Sequence, residues 1–126
     1  MPTVLIVDDE PAIRGALRKL FERAGWTVLE AESGRDALTR LESEPTVEAV
    51  VSDYLMPDLD GLELYDELAL RVPRLRDRVV FLTGAAREPA VHQALEQRSL
   101  PLISKLDDLQ IVLDAVWLAV LRGRTR

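Results

Sequence analysis

The sequence has 126 residues, of which 48% are hydrophobic and 30% charged, so it has the size and composition of one globular domain and not of a disordered chain. Its net charge of −6 argues against a nucleic-acid partner, because phosphate backbones are bound by clustered positive charge. The absence of cysteine and of any apolar run approaching roughly 18 residues excludes disulfides, thiolate–zinc sites and a membrane span, and we expect a single cytoplasmic domain, 1–126, without an output domain.

The first half of the chain alternates short apolar runs with segments of helical periodicity. Residues 3–8 and 27–31 are apolar runs bounded by polar residues, which is typical of buried strands. Between them, apolar residues recur at helical spacing after Pro11, and Gly25 closes this predicted helix. A capping-box pattern, in which Ser33 is followed three residues later by an aspartate, predicts the start of the next helix.

The second half of the chain continues the same alternation. A third strand is predicted at 49–53, and Gly61 leads from it into a leucine-rich helix. Two further strands are predicted at 79–83 and 100–104, with a helix between them, and the last helix is predicted at 107–121. Strands that alternate with helices predict an α/β fold, namely a flavodoxin-like, doubly wound, five-stranded parallel sheet in the order 2-1-3-4-5 with five helices.

Polar residues that could bind a ligand or take part in a reaction follow four of the predicted strands. Asp8 and Asp9 end the first strand and Asp53 ends the third, while Thr83 and Lys105 end the fourth and fifth. Three carboxylates without a neighbouring cysteine or histidine favour Mg²⁺ or Mn²⁺, and a lysine beside such an ion suits phosphate oxygens. Because a carboxylate in such a pocket can form an aspartyl phosphate, Asp53 is predicted to be a phosphoacceptor. The second strand ends without a candidate group.

Four segments in this order resemble the receiver domain of two-component response regulators: VLIVDDE, VVSDYLMPDLDGLEL, VFLTGAA and ISK. The resemblance covers essentially the whole chain. It implies that Asp53 accepts a phosphoryl group from the phosphohistidine of a sensor histidine kinase or phosphotransfer protein. It also implies that the domain is not an enzyme beyond its own phosphorylation and dephosphorylation. Phosphorylation would then switch the face formed by helix four, strand five and helix five for a downstream protein partner.

The same resemblance assigns roles to the other pocket residues. It implies that Asp9 binds Mg²⁺ directly, that Asp8 binds it mostly through water, and that the main-chain carbonyl of Leu55 is a further ligand beside the phosphoacceptor. Thr83 and Lys105 would bond to the phosphoryl oxygens. All five positions of the family's pocket are therefore present in this chain.

Several positions depart from the family pattern. Leu102 stands where the family usually has a switching aromatic residue, and the pocket lysine is followed by Leu106 instead of a proline in a cis peptide. A cis bond before leucine costs about 3 kcal/mol, so we expect a trans bond. Asp107 takes a position that is commonly aromatic or apolar, and together with Asp108 it is predicted to cap the last helix. Leu55 and Ala85 flank the pocket and cannot orient an attacking water.

Two alternatives remain open at this point. The departures in the fifth-strand region are compatible with a pseudo-receiver, which acts as a protein-interaction module without phosphorylation. The DLDG segment at 58–61 superficially matches the nucleophile motif of haloacid-dehalogenase-type phosphatases, but it begins five residues after Asp53 instead of directly after the strand.

The last predicted helix is apolar on both sides. One stripe is fit to pack on the sheet, whereas the opposite side carries Ile111, Ala115 and Leu118, flanked by Trp117 and Leu121. A surface helix is ordinarily polar on that side. These five residues are therefore predicted to form an interface, either with a second copy of the chain or with another protein.

Overall fold

The computed structural model of the chain describes residues 2–84, 89–105 and 108–124. Strands and helices alternate along these ranges. In chain order the elements are β1 (Thr3–Val7), α1 (Pro11–Arg23), β2 (Thr27–Ala31), α2 (Gly34–Ser43), β3 (Val47–Asp53), α3 (Gly61–Arg71), a short 3₁₀ helix (Pro73–Leu75), β4 (Val79–Thr83), α4 (Pro89–Glu96), β5 (Leu102–Ser104) and α5 (Gln110–Arg124). No helix of the described residues is long and apolar enough to span a membrane.

The five strands form one parallel sheet in the order β2-β1-β3-β4-β5, which confirms the predicted fold. The inner strands β1, β3 and β4 are almost entirely buried, as expected for a parallel sheet covered on both faces. Their registers align the carboxyl ends at one edge, with Val7 opposite Ser52 and Thr83 opposite Ser104. This edge is where the functional side chains of the sequence were expected.

The helices cover the sheet in two layers, and each layer has its own core. Leu64 and Leu68 of α3 represent the first, which also includes buried residues of α2 and α4. Phe21 and Val116 represent the second, which joins α1 and α5 to the opposite face. Alternate residues of β1 contribute to the two cores, so the strand is fixed from both sides. Such packing gives the pocket at the strand ends a rigid base.

Local sequence explains how α3 starts directly below the pocket. The side chain of Asp60 accepts a hydrogen bond from the N–H of Glu63, and the Glu63 side chain accepts one from the N–H of Asp60, which completes a capping box. A Cβ on Gly61 would lie 2.8 Å from ring atoms of Tyr54 and Phe81. Only glycine therefore lets the helix start this close to β3 and β4.

Some predicted boundaries were wrong. β3 begins at Val47, two residues earlier than predicted, and β5 begins at Leu102, because the N–H of Leu100 is bonded to the end of α4. The last helix begins at Gln110, whose N–H is accepted by Asp108. The capping box at α2 is only half formed. The Ser33 side chain accepts a hydrogen bond from the N–H of Asp36, but the Asp36 carboxylate accepts one from the N–H of Glu32 and not from that of Ser33.

Candidate functional site

Four carboxylates meet at the carboxyl edge of β1 and β3. Asp8, Asp9, Glu10 and Asp53 each place one carboxylate oxygen within 4.8 Å of the others. Asp8 and Asp53 are buried, whereas Asp9 and Glu10 are exposed. The structure thus brings together the three predicted carboxylates, because β1 and β3 are neighbours in the sheet. It adds Glu10, which the sequence analysis did not select.

Lys105, just after β5, reaches into this cluster. Its Nζ lies 2.7 Å from Glu10 Oε1, 3.1 Å from Asp53 Oδ2 and 3.3 Å from Asp8 Oδ2. Burial alone would lower the pKa of Lys105, but the hydrogen bonds to Glu10 and Asp53 and the charges of Asp53 and Asp8 outweigh it, so the pKa is raised. The lysine is therefore a permanent cation in this pocket at neutral pH.

The two buried carboxylates have raised pKa values. For both Asp8 and Asp53 the largest cause is burial, which disfavours the charged form. Nearby negative charge adds to it, from Asp53 in the case of Asp8 and from Asp9 in the case of Asp53. Lys105 opposes the increase in both cases. One ammonium therefore only partly compensates the carboxylates that surround it.

The donor set fits a hard divalent cation. Asp8 Oδ2 is fully buried and has no hydrogen-bond partner among the described residues, since Lys105 approaches it within ion-pair distance but outside hydrogen-bond geometry. A buried carboxylate oxygen without a hydrogen bond is costly, and the one ammonium that pairs with it is shared with two other carboxylates, so a further cation would compensate it. Oxygen ligands of this kind suit Mg²⁺, Mn²⁺ and Ca²⁺. The residues present thus fit the predicted metal ion.

The main chain around Asp53 is held by hydrogen bonds on both sides. The N–H of Leu55 donates to Asp53 Oδ1 at 3.2 Å, and the N–H of Tyr54 donates to the carbonyl of Leu82 on β4 at 2.8 Å. The side chain of Leu55 is 54% exposed and lies beside the predicted phosphoacceptor. The carboxylate of Asp53 is therefore fixed through Oδ1 and through the contact of Oδ2 with Lys105.

Thr83 lies at the end of β4, on the same edge, and is fully buried. Its carbonyl accepts a hydrogen bond from the N–H of Lys105 at 3.1 Å, which ties the end of β4 to the residue that carries the ammonium. The predicted pocket residues of β1, β3, β4 and β5 are thus on one edge of the sheet. Ala85, Leu106 and Asp107, whose roles were also predicted, lie outside the described residues.

The sequence analysis missed an ionic support under β1. Glu30, at the end of β2, was taken to be without a role, but its carboxylate accepts hydrogen bonds from Arg14 at 3.2 Å and Arg18 at 2.8 Å. Arg14 also donates to the main-chain carbonyl of Asp8 at 2.7 Å. The only signal in the sequence is the spacing of two arginines one helical turn apart on α1, facing β2.

Asp58 also has a role that the sequence did not reveal. Its carboxylate accepts hydrogen bonds from the N–H groups of Gly34 at 3.1 Å and Arg35 at 2.9 Å, so it caps α2 from the loop that follows the phosphoacceptor. These main-chain hydrogen bonds outweigh the effect of burial and lower the pKa of Asp58. A Cβ on Gly34 would lie 2.8 Å from Leu59 Cβ, so the loop lies directly on the start of α2.

The outward side of α5 is partly as predicted. Ile111, Leu118 and Leu121 are 46%, 59% and 52% exposed. Ala115 and Trp117 are half-buried and pack against the core, and the ring of Trp117 lies 4.9 Å from that of Trp26. The exposed apolar surface of α5 is therefore formed by three of the five residues that were predicted to form an interface.

Comparison with known proteins gives the family. The family model of the response regulator receiver domain matches residues 4–116. A putative transcriptional regulator of Pseudomonas aeruginosa is 36% identical over 124 residues, covering 98% of this chain and 58% of that protein. The positive transcription regulator BvgA of Bordetella pertussis is also 36% identical, covering 97% of this chain and 57% of its own length. This chain thus spans less than two thirds of these relatives.

Solved structures agree with this result. A receiver domain protein of Clostridium thermocellum has a TM-score of 0.88 and 25% identity, covering 99% of this chain and 98% of its own. The response regulator TrrA of Thermotoga maritima, solved in complex with Mg²⁺ and BeF, has a TM-score of 0.81 and 25% identity. The match covers 94% of this chain and 99% of the TrrA chain. The chain belongs to the response regulator receiver domain family of two-component signalling. Such domains are signalling modules and not classical enzymes, and they bind Mg²⁺ at an acidic pocket.

Proposed function

We propose that Asp53 accepts a phosphoryl group from the phosphohistidine of a sensor histidine kinase or phosphotransfer protein. The observation that carries this proposal is the position of its carboxylate, which is buried at the carboxyl edge of the sheet, 3.1 Å from the ammonium of Lys105 and grouped with three other carboxylates. A carboxylate in this setting is a nucleophile with a cation beside it to receive the phosphoryl oxygens.

The transfer balances without a further reactant. A carboxylate oxygen of Asp53 attacks phosphorus, the bond from phosphorus to the histidine nitrogen breaks, and the imidazole leaves with the electron pair. The product is a mixed anhydride on Asp53. When bound, Mg²⁺ neutralises charge on the phosphoryl oxygens. The ammonium of Lys105 moves from its carboxylate partners to those oxygens. The hydroxyl of Thr83 donates a hydrogen bond to another phosphoryl oxygen.

The divalent cation would be held by Asp8, Asp9, Asp53 and the main-chain carbonyl of Leu55. The orphaned oxygen of Asp8 supports its part in this set. The similarity to TrrA, which was solved with Mg²⁺ and BeF, supports the same assignment. The carboxylates of Asp8 and Asp53 are rigidly placed, whereas the exposed Asp9 is free to adjust to the ion.

We further propose that phosphorylation shifts a two-state equilibrium in the face formed by α4, β5 and α5, where a downstream protein binds. The direct hydrogen bond from the N–H of Lys105 to the carbonyl of Thr83 supports this, since it joins β5 to the pocket. Leu102, half-buried on β5, replaces the family's switching aromatic residue, so the shift is transmitted by the main chain of this strand. Identical amide chemical shifts of both forms across residues 84–121 would disprove it.

A second copy of the chain is our proposed partner for the exposed side of α5. In an antiparallel pair of these helices centred on Leu118, the acidic Asp114 would lie opposite the basic Arg122 of the partner subunit. Both residues are exposed on this side, so the pairing is complementary in charge as well as apolar. Sedimentation of Leu118→Glu tests it, with Leu70→Glu as the control because Leu70 is 80% exposed on α3. Dimerisation that survives Leu118→Glu contradicts the proposal.

The alternatives are weaker on the described contacts. The DLDG segment has both carboxylates engaged as caps, Asp58 on α2 and Asp60 on α3, which weighs against a phosphatase nucleophile there. A pseudo-receiver is the second outcome of the experiment that follows, because its pocket would bind Mg²⁺ without taking up a phosphoryl group.

The test is intact-protein mass after incubation with a small-molecule phosphodonor, with and without Mg²⁺. We expect the wild-type protein to gain one phosphoryl group only with Mg²⁺, and Asp53→Asn to gain none. Asp58→Asn is the matched control, an equal loss of charge five residues away, and it should still be phosphorylated. No gain by wild-type protein that binds Mg²⁺ would contradict the proposed function in favour of the pseudo-receiver.

A further inference from the structure

A single guanidinium on α1 connects the ends of β1 and β2. Arg14 Nη1 donates to the main-chain carbonyl of Asp8 at 2.7 Å, and Arg14 Nε donates to Glu30 Oε1 at 3.2 Å. The side chains of Arg14 and Glu30 are 17% and 32% exposed, so this double contact is partly shielded from water. Arg14 thus bonds to the main chain of a pocket residue and not to the carboxylate of that residue.

The remaining polar atoms of Asp8 show what this contact achieves. The N–H of Asp8 donates to the carbonyl of Ala31 at 3.1 Å, and Asp8 Oδ1 accepts the N–H of Glu10 at 2.9 Å. With the carbonyl held by Arg14, every polar atom of Asp8 except Oδ2 has a protein hydrogen-bond partner. Oδ2 is the atom that remains for a cation.

Glu30 explains why a positive charge near this site is tolerated. A free guanidinium behind a cation site would repel the cation, because the two charges have the same sign. The carboxylate of Glu30 compensates Arg14 and is itself fixed by a second arginine, since Arg18 Nε donates to Glu30 Oε2 at 2.8 Å. The arrangement keeps the geometric effect of Arg14 and reduces its repulsion of a cation.

We propose that Arg14 is a positioning residue for the divalent cation, fixing Asp8 so that Oδ2, which accepts no hydrogen bond, faces the ion, with Glu30 holding the guanidinium in place. This inference rests on the proposed function, because it concerns the same cation. Groups that bond to a metal ligand from behind typically change metal affinity by roughly 10–100-fold. A Mg²⁺ site keeps several waters, so we expect the lower end, a loss of about tenfold.

The experiment compares Arg14→Met with Arg18→Met by calorimetric titration of Mg²⁺ without a phosphodonor. Arg18→Met is the matched control, because Arg18 lies on the same helix and bonds to the same Glu30, whereas its other hydrogen bonds go to Glu22 and to the carbonyl of Val28. We expect Arg14→Met to bind Mg²⁺ about tenfold more weakly than wild-type protein. Arg18→Met should bind Mg²⁺ as tightly as the wild-type protein. This difference in affinity is expected even if both variants unfold at the same temperature, below that of the wild-type protein.

Two results overturn the inference. The first is wild-type Mg²⁺ affinity in Arg14→Met, and the second is an equal loss in both variants, which would indicate a general effect of the Glu30 network. If wild-type protein binds no Mg²⁺, the proposed function fails, which is a distinguishable result. Should Arg14→Met not fold, Arg14→Lys replaces it. A lysine keeps the charge beside Glu30 but lacks the forked donors that reach two partners, so the same loss is expected.

Discussion

The two flanks of the pocket are held in different ways. On the β1 flank, Asp8 is fixed through its main chain and one carboxylate oxygen, with Arg14 bonded to its carbonyl. On the β5 flank, the ammonium of Lys105 forms ion pairs with three carboxylate side chains, and two of these, Glu10 and Asp53, also accept hydrogen bonds from it. One flank is built to stay in place, and the other has partners that can be exchanged.

The difference suggests a division of labour in the proposed reaction. A cation site benefits from preorganised ligands, because their ordering is then complete before the ion arrives. An ammonium that must bind incoming phosphoryl oxygens benefits instead from partners it can leave. We expect removal of the Lys105 ammonium on the β5 flank to change the charge balance, and loss of the hydrogen bonds that hold the β1 and β3 side to change its geometry. The following predictions run from the largest to the smallest expected effect on stability.

Removal of the Lys105 ammonium has the largest expected effect on the free energy of unfolding. Lys105→Met leaves the buried carboxylates of Asp8 and Asp53 without their cation, and breaking a buried ion pair on one side costs about 3 kcal/mol. We expect a loss of about that size in the free energy of unfolding, measured by urea denaturation without Mg²⁺ and followed by circular dichroism. Added Mg²⁺ should restore part of it.

The control for this substitution is Lys19→Met, which makes the same change at an exposed position of α1. We expect the stability of Lys19→Met to lie within about 0.5 kcal/mol of wild type, with or without Mg²⁺. A Lys105→Met variant as stable as Lys19→Met would show that the three carboxylates need no cation, and the contrast between the flanks would not hold.

The hydrogen bonds that hold the loop after β3 are tested at Asp58. Asp58→Ala removes the side chain that caps α2 from the loop carrying Leu55, and loss of such a cap typically costs about 1 kcal/mol. Asp58→Asn keeps an acceptor oxygen and should lose less. Chemical denaturation of both variants near neutral pH measures the difference. Equal losses in the two variants would indicate that charge, and not the hydrogen bonds to α2, accounts for the effect.

The pH dependence of Asp53 gives the smallest expected effect, because Lys105 offsets part of the burial cost. In the unfolded chain Asp53 titrates near its ordinary value of 3.8, whereas burial raises its pKa in the fold. At a pH between the unfolded and the folded pKa, the folded state binds more protons than the unfolded state. This contribution to stability is therefore present below pH 3.8 and is lost as the pH rises through the folded pKa.

The variant Asp53→Asn lacks this contribution. In metal-free buffer we therefore expect Asp53→Asn to become more stable relative to wild type as the pH rises from about 4 to about 7. Paired urea denaturation curves across that range measure the sign. A constant difference between the two proteins would mean that the pKa of Asp53 is the same in the folded and unfolded states.

Local sequence patterns were enough to predict most of the fold and the motif residues of the pocket. The alternation of strands and helices predicted the sheet order, and Gly61 ahead of a leucine-rich segment predicted the start of α3, because these signals lie in short stretches of sequence. The supports behind the pocket could not be predicted in this way. Asp58 caps a helix 24 residues earlier, and Arg14 meets Glu30 across 16 residues, so neither contact leaves a local periodicity.

The tryptophan pair at the far end of the sheet has a practical consequence. Trp26 is buried just before β2, in edge-on contact with Phe21 and Trp117, whereas the pocket lies beyond the carboxyl ends of the strands, about 15 Å away along a five-residue strand. Indole emission in this protein therefore reports on the second core, and we expect binding of the ion alone to change it little. Fluorescence can then follow unfolding in a sample whose pocket is titrated with Mg²⁺ alone.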